Sequence, residues 1–332
     1  MKKSIFIAIF SLISAAAAFA QVPLLNVIEH YTNTKCSVCA SRNPAFLTNY
    51  NTQNNCWYLS VYPSSPYAAC PLSQQNVVAN DARTNYYGIY GGTPRLVIDG
   101  NVIPASANYA SAAIFTPYLN QTSPFSMTLK QQKFGTDSIR TRLVIKIVAA
   151  HTNIDASLFL GLAEDTIAVN GGNGELKHFN VLRKSIYAPQ GRTVVLPTTI
   201  GDSVVLTETT PKNAIWNFNR IFSVAILQNI TTKQVLQSAK LLPNAQTIFT
   251  SSDNFENNLA ISVSPNPFSD NIRIETEENS GILQIISLDG RVVFTKKLID
   301  TKTIDTKSLT TGVYILTIKN ERGSFSKKII KL

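Results

Sequence analysis

The spacing of apolar and polar positions changes several times along the chain, and the changes divide it. Residues 5–13 form a short run that is apolar almost throughout. Leu24–Tyr31 (Leu-Leu-Asn-Val-Ile-Glu-His-Tyr) is apolar enough for a buried strand, and Cys56–Tyr62 reads as a second. Between them a turn at Asn33 and Thr34 leads into a stretch that suits a helix from Ser37, bent at Pro44 where one i→i−4 bond is lost. From about residue 121 β-branched residues and turn-like breaks dominate. Ser126–Gln132, Ile139–Ala150, Ser157–Ala163, Thr193–Leu196, Ser203–Glu208 and Arg220–Gln228 all favour strand, which predicts an antiparallel β-sandwich over 121–243. Residues 244–258 are polar, lack a period and read as a linker. From residue 259, alternating strands separated by Asp289-Gly290 and Thr311-Gly312 turns predict a second, smaller β-sandwich.

Length agrees with this division, because 332 residues exceed a single core and fit three units plus a leader. Met1-Lys2-Lys3, the apolar run and Ala18-Phe19-Ala20 together read as a secretory signal over 1–20, with Gln21 as the mature N-terminus. The apolar run is too short to span a bilayer stably. No cysteine follows the cleavage site, so a lipid anchor is not expected there. The net charge of +10 changes little, since its largest share is thirteen bases against seven acids over 121–243. No basic block is interleaved with aromatics, which argues against nucleic-acid binding. The excess reads as a solvated face, with attraction to an anionic outer-membrane surface as the other reading.

The chemistry concentrates before residue 121, in Lys35-Cys36-Ser37-Val38-Cys39 and in Tyr87-Gly88-Ile89-Tyr90-Gly91-Gly92-Thr93-Pro94. At the start of the predicted helix, a Cys36 thiolate is stabilised by unpaired N–H groups and the helix dipole, and Lys35 adds a nearby positive charge. Cys39 stands one turn along, close enough for a short disulfide. An inert disulfide or half of a zinc site fits the same spacing, although structural zinc needs four ligands and Cys56 and Cys70 form no second close pair. All four cysteines precede residue 121, and an even count in an oxidising compartment predicts two disulfides. Cys36–Cys39 is then the redox pair. A Cys56–Cys70 bridge ties the proline-rich Tyr62–Leu72 stretch to its strand.

With the two motifs in this order, residues 22–120 resemble the thioredoxin superfamily. The resemblance implies a thioredoxin-like α/β domain over 21–120, a cis Thr93–Pro94 bond against the sulfurs, and Glu29 or His30 near the place of a proton-shuttling buried acid, with a half-exposed strand-end histidine as the favoured reading of His30. It departs from the family at Lys35 and Ser37-Val38, where a Trp and a Gly-Pro are usual. Tyr62, Tyr67, Tyr86, Tyr87 and Tyr90 are candidates to wall a peptide groove, or else ordinary packing. His151 and His178 have no metal-triad spacing, and no G-x-S-x-G, H-E-x-x-H or P-loop occurs.

Two further resemblances complete the reading. Residues 178–184, 224–229 and 233–239 resemble the outer-membrane-protein-28-related family, which joins a thioredoxin-like domain to a β-rich one. Pro265-Asn266-Pro267, Leu288-Asp289-Gly290-Arg291 and Gly312-Val313-Tyr314-Ile315 occur in order, and 259–332 resembles the type A C-terminal sorting domain of type IX secretion cargo. The expected fold class is therefore multidomain α/β plus all-β: a thioredoxin-like domain, an antiparallel β-sandwich and a small Ig-like β-sandwich. The expected function is a thiol–disulfide oxidoreductase delivered through the periplasm to the cell surface or secreted. Cys36 attacks, Cys39 resolves, and Thr93 and Pro94 shape the groove for protein thiols, disulfides or extended peptides. No cofactor is called for. The alternative is a non-catalytic surface binding protein or adhesin that keeps the disulfide.

Overall fold

The computed structural model describes residues 21–247, 261–276, 281–287, 291–298, 303–320 and 323–332. The expected signal at 1–20 and most of the expected linker lie outside the described residues. The first part of the chain supplies β1 (Val22–Pro23), β2 (Asn26–Tyr31), α1 (Ser37–Tyr50), β3 (Cys56–Val61), α2 (Pro71–Gln74), α3 (Val77–Tyr86), β4 (Arg95–Ile98) and β5 (Asn101–Val102). Next come β6 (Thr122–Ser123), β7 (Phe125–Phe134), β8 (Ser138–Ile147), β9 (Ala156–Ala168) and β10 (Lys177–Ser185). They are followed by β11 (Arg192–Val194), β12 (Ser203–Pro211), β13 (Ile221–Asn229) and β14 (Val235–Lys240).

Strands β2 and β3 pair in parallel from Asn26↔Cys56 to Tyr31↔Val61, with α1 as the crossover, and β4 lies antiparallel on β2. The sheet does not stop at β3. Strand β10 joins it in parallel at Val181↔Ser60 and brings β9, β13 and β14 with it. The result is one nine-stranded sheet in the order β14-β13-β9-β10-β3-β2-β4-β5, with β11 on β9. A three-stranded sheet, β12-β8-β7, packs Leu129, Leu143 and Ile145 against Leu158, Leu160 and Leu227 of the large sheet.

This overturns the expected fold class. Strand accounts for 47% of the described residues and helix for 11%, and the α-helices α1, α2 and α3 have 14, 4 and 10 residues. A free-standing α/β unit needs helices over both faces of its parallel strands, and so little helix cannot supply them. Helix α1 covers one face through Phe46, against Ile28, Tyr58, Leu96 and Ile98. The opposite face buries Val27, Trp57, Leu59 and Val97 against Phe159, Phe222, Val224 and Ile226 from β9 and β13. The sheet curls over itself to achieve this. The Trp57 indole on β3 donates to Ser238 Oγ on β14 at 2.8 Å, although β13, β9 and β10 stand between them in strand order.

A buried ion pair crosses the same junction. Arg83 of α3 donates to both Glu29 oxygens of β2 at 2.7 Å. Its remaining N–H groups reach Gln228 Oε1 of β13 at 2.8 Å and the Pro189 carbonyl at 3.0 Å. Both charged side chains are out of solvent, so the hydrogen bonds must compensate their lost hydration.

The C-terminal unit is built from β15 (Ile261–Ser264), β16 (Asn271–Thr276), β17 (Gly281–Ser287), β18 (Val292–Leu298), β19 (Thr303–Asp305), β20 (Gly312–Asn320) and β21 (Gly323–Lys331). Sheets β15-β16-β19 and β18-β17-β20-β21 enclose their own core of Val263, Ile272, Ile274, Leu283, Ile285, Leu316, Ile318 and Ile329. The Lys331 ammonium donates to the Ser269 carbonyl, and Phe268 N–H donates to the Ile330 carbonyl at 2.9 Å.

Candidate functional site

Cys36 and Cys39 are joined in a disulfide across one helical turn, with Cα atoms 5.2 Å apart. Cys36 is the N-cap of α1. It has extended backbone, and its sulfur accepts from the Cys39 N–H at 3.0 Å. The same N–H would favour a thiolate on Cys36, together with the helix dipole and the exposed Lys35. The Asn33 side chain shapes the approach to the helix by accepting from Lys35 N–H at 2.9 Å and donating to the Pro63 carbonyl at 3.0 Å. On the other side, the Thr93 carbonyl lies 3.5 Å from Cys36 Sγ, and the Thr93–Pro94 bond is cis. The two motifs, more than fifty residues apart in sequence, therefore meet at the sulfurs. Both cysteines are buried, with 1% and 0% of their surface exposed, which leaves a substrate sulfur no open line of attack.

The other expected residues go elsewhere. Because side chains alternate across a strand, Glu29 and His30 face opposite sides of the sheet. Glu29 is held by Arg83 and accepts from Tyr87 and Tyr31 hydroxyls at 2.6 and 3.0 Å. His30 Nε2 bonds Asn43 Oδ1 at 2.9 Å, and burial, partly countered by that bond, lowers it to about 4. With Cys36 and Cys39 bonded to each other, these side chains hydrogen-bond Asn43, Arg83 and the two tyrosines. The Cys56–Cys70 bridge is corrected, since both are free thiols. Cys56 begins β3, whereas Cys70 packs beside Tyr62 just past the other end of that strand. Six residues at about 3.3 Å each separate the two ends, far beyond disulfide reach. Of the tyrosines, Tyr87 and Tyr62 are buried, the latter with its hydroxyl 3.1 Å from His178 Nδ1, while Tyr90 remains 42% exposed. No cluster of three or more metal-ligating side chains occurs among the described residues.

The sequence reading missed a loop. Between β9 and β10, Asn170-Gly171-Gly172-Asn173-Gly174-Glu175 lies across the entry to α1. Asn173 N–H donates to the Thr34 carbonyl at 3.1 Å, and its side-chain amide donates to the carbonyls of Cys36 at 3.1 Å and Asn33 at 3.3 Å. The same amide donates to Glu175 Oε2 at 2.7 Å, and Glu175 Oε1 accepts from Asn43 Nδ2 at 2.8 Å. The loop approaches closely: a Cβ on Gly171 would lie 2.0 Å from the Thr34 side chain, and Gly172 and Gly174 have φ of +102° and +98°. The available signal was three glycines and two asparagines within five residues.

The fold and site together define a β-rich protein with a C-x-x-C disulfide in its first part and a separate β-sandwich over its last described residues. Residues 262–332 match the secretion system C-terminal sorting domain, so the chain carries a sorting domain that interacts with the secretion machinery and directs export to the cell surface or beyond. Among solved structures, HBP35 of Porphyromonas gingivalis is similar in fold, at 15% identity over 93% of this chain and 98% of that one, with a TM-score of 0.57. A domain of the outer membrane lipoprotein Omp28 from Porphyromonas gingivalis also matches, at 16% identity over 38% of this chain and 92% of that one, with a TM-score of 0.28. No protein of curated function matches the chain.

Proposed function

We propose that this surface-delivered protein is a thiol–disulfide oxidoreductase acting through Cys36 and Cys39, with Thr93 and Pro94 bounding the approach and protein thiols, disulfides or extended peptides as its partners. The observation that carries the reading is the disulfide at a helix N-cap, with the Cys39 N–H and the Thr93 carbonyl on the Cys36 sulfur. From the bonded form, a substrate thiolate attacks Cys36 Sγ. The Cys36–Cys39 bond breaks, its electron pair leaves on Cys39, and that thiolate then takes a proton. The substrate's second thiolate then attacks its own sulfur of the mixed disulfide. This releases Cys36 as a thiolate and leaves the substrate oxidised. In reverse, the Cys36 thiolate attacks a substrate disulfide and Cys39 resolves the mixed disulfide.

Residues 1–20 act in this reading as the signal removed before Gln21, and 259–332 as a unit separable from the redox body. The test is insulin reduction by the mature chain, with Cys36→Ser and Cys39→Ser variants. Catalysis above the dithiothreitol background, abolished by Cys36→Ser, is the expected result. After reduction, alkylation at mildly acidic pH should label Cys36 before Cys39. A second reading, a non-catalytic surface binding protein, is favoured by the burial of both sulfurs, and it is the conclusion if the mature chain shows no turnover.

A further inference from the structure

We propose that the loop Asn170–Glu175 is a strap that gates the disulfide, so that a substrate sulfur reaches Cys36 only when the strap lifts. The inference deepens the oxidoreductase reading and rests on it for its biological meaning. Thiol–disulfide exchange requires the attacking sulfur to reach the bond. With Cys36 and Cys39 essentially without exposed surface, some segment must move first. The Gly92–Pro94 loop and the strap both border Cys36. The Gly92–Pro94 loop leads straight into β4, whose Leu96, Val97 and Ile98 are wholly buried, so moving it disturbs the core. Gly92 and Thr93 are half-buried, as are Asn173 and Glu175 of the strap, but the strap's Gly172, Gly174 and Leu176 are exposed and its hold on the Asn33–Cys36 segment is by hydrogen bonds.

The strap's hold on the site is specific. Asn173 ties the Asn33, Thr34 and Cys36 carbonyls from one residue, and so fixes the Asn33–Cys36 segment that presents the sulfur. Glu175 anchors Asn173 to Asn43 of α1, whose Oδ1 meets His30. Gly171 seats on Thr34 at a distance no side chain permits. These are hydrogen bonds water can replace, whereas the apolar core under β4 has no such substitute. Because the strap binds backbone carbonyls and not the sulfurs, lifting it changes rates of reduction and reoxidation alike and leaves their ratio untouched.

The experiment measures second-order rate constants for reduction of the Cys36–Cys39 disulfide by dithiothreitol in the mature chain and in Asn173→Ala and Gly171→Ala, together with the equilibrium constant against a dithiothreitol redox buffer. Asn173→Ala removes the side-chain bonds to Asn33 and Cys36. The reduction rate should rise on the order of tenfold, with the equilibrium constant unchanged. Gly171→Ala should act in the same direction. Should Gly171→Ala fail to fold, Asn173→Ala, which keeps the backbone bond to Thr34, decides alone. Unchanged rates in folded Asn173→Ala overturn the gate, as does a faster reduction matched by an equal shift in equilibrium, which would make the loop a determinant of potential. Chemical reduction reads the gate whether or not insulin is turned over, so failure of the oxidoreductase reading and failure of the strap are separate results.

Discussion

Replacing Arg83 by Met tests whether the first part of the chain and the middle strands form one cooperative unit. The substitution keeps much of the side-chain volume but removes the guanidinium. It strands the Glu29 carboxylate, which is left with the Tyr31 and Tyr87 hydroxyls, and it unpairs Gln228 Oε1 and the Pro189 carbonyl. Breaking one side of a buried ion pair costs about 3–5 kcal/mol, a large part of the roughly 5–15 kcal/mol that holds a domain folded. With a urea dependence of about 3 kcal/mol per molar, the midpoint should fall by on the order of 1–1.7 M. The two tryptophans provide the assay. Trp57 lies in the core shared by β2, β3, β9 and β13, whereas Trp216 packs with Ile139, Leu162 and Ile221. Followed separately in Trp57→Phe and Trp216→Phe backgrounds, the two should unfold in coincident transitions and shift together on Arg83→Met. The double variant Glu29→Gln/Arg83→Met should be less destabilised than Arg83→Met alone, because no charge is then stranded. Two separated transitions, with only the Trp57 signal moving, would refute the single-unit reasoning and restore an independent N-terminal domain.

Further outcomes are expected. His30 titrates near 6.5 when unfolded but near about 4 when folded, so between those values the unfolded state binds more protons and stability falls with falling pH. Relative to His30→Gln, the wild type should therefore lose about 3 kcal/mol from pH 7 to pH 4, at 1.36 kcal/mol per unit. The difference between the two is the measure, because Asp99, raised by burial to about 6, slopes the opposite way in both. Under denaturing, non-reducing conditions, alkylation should find two free thiols, Cys56 and Cys70, and a fully bridged protein would refute the corrected pairing. Deleting 259–332 should leave a folded body with the disulfide reactivity of the mature chain, retained in the periplasm. Arrival of the truncated form at the surface, or failure to fold, would contradict a separable sorting unit.

Local signals were legible where the physics is local. The apolar runs marked β2 and β3. The helix start at Cys36 was readable because a turn and a C-x-x-C precede helix-compatible residues, and the Thr311-Gly312 signal marked the start of β20, while the Asp289-Gly290 turn lies outside the described residues. The Cys56–Cys70 pairing failed because counting cysteines says nothing of which end of a strand each occupies. Glu29 and His30 were singled out together for their place at the end of the first strand, and a strand sends neighbours to opposite faces. One met Arg83 and the other met Asn43.

The sequence by itself determined the sorting unit and the C-x-x-C, since each rests on a short run of residues whose chemistry requires no distant partner, whereas the meeting of Cys36 with Thr93 is a tertiary contact that the sequence offered only through a resemblance. Only the tertiary structure decided that β10 pairs with β3, so that the expected α/β domain became part of one curled sheet. A parallel edge strand looks the same in sequence whether solvent or another strand lies beside it. The tertiary structure also decided that Asn173 bonds the Cys36 carbonyl and that Gly171 seats on Thr34. Carbonyl groups carry no sequence identity, so a loop that binds them leaves no trace at the residues it covers.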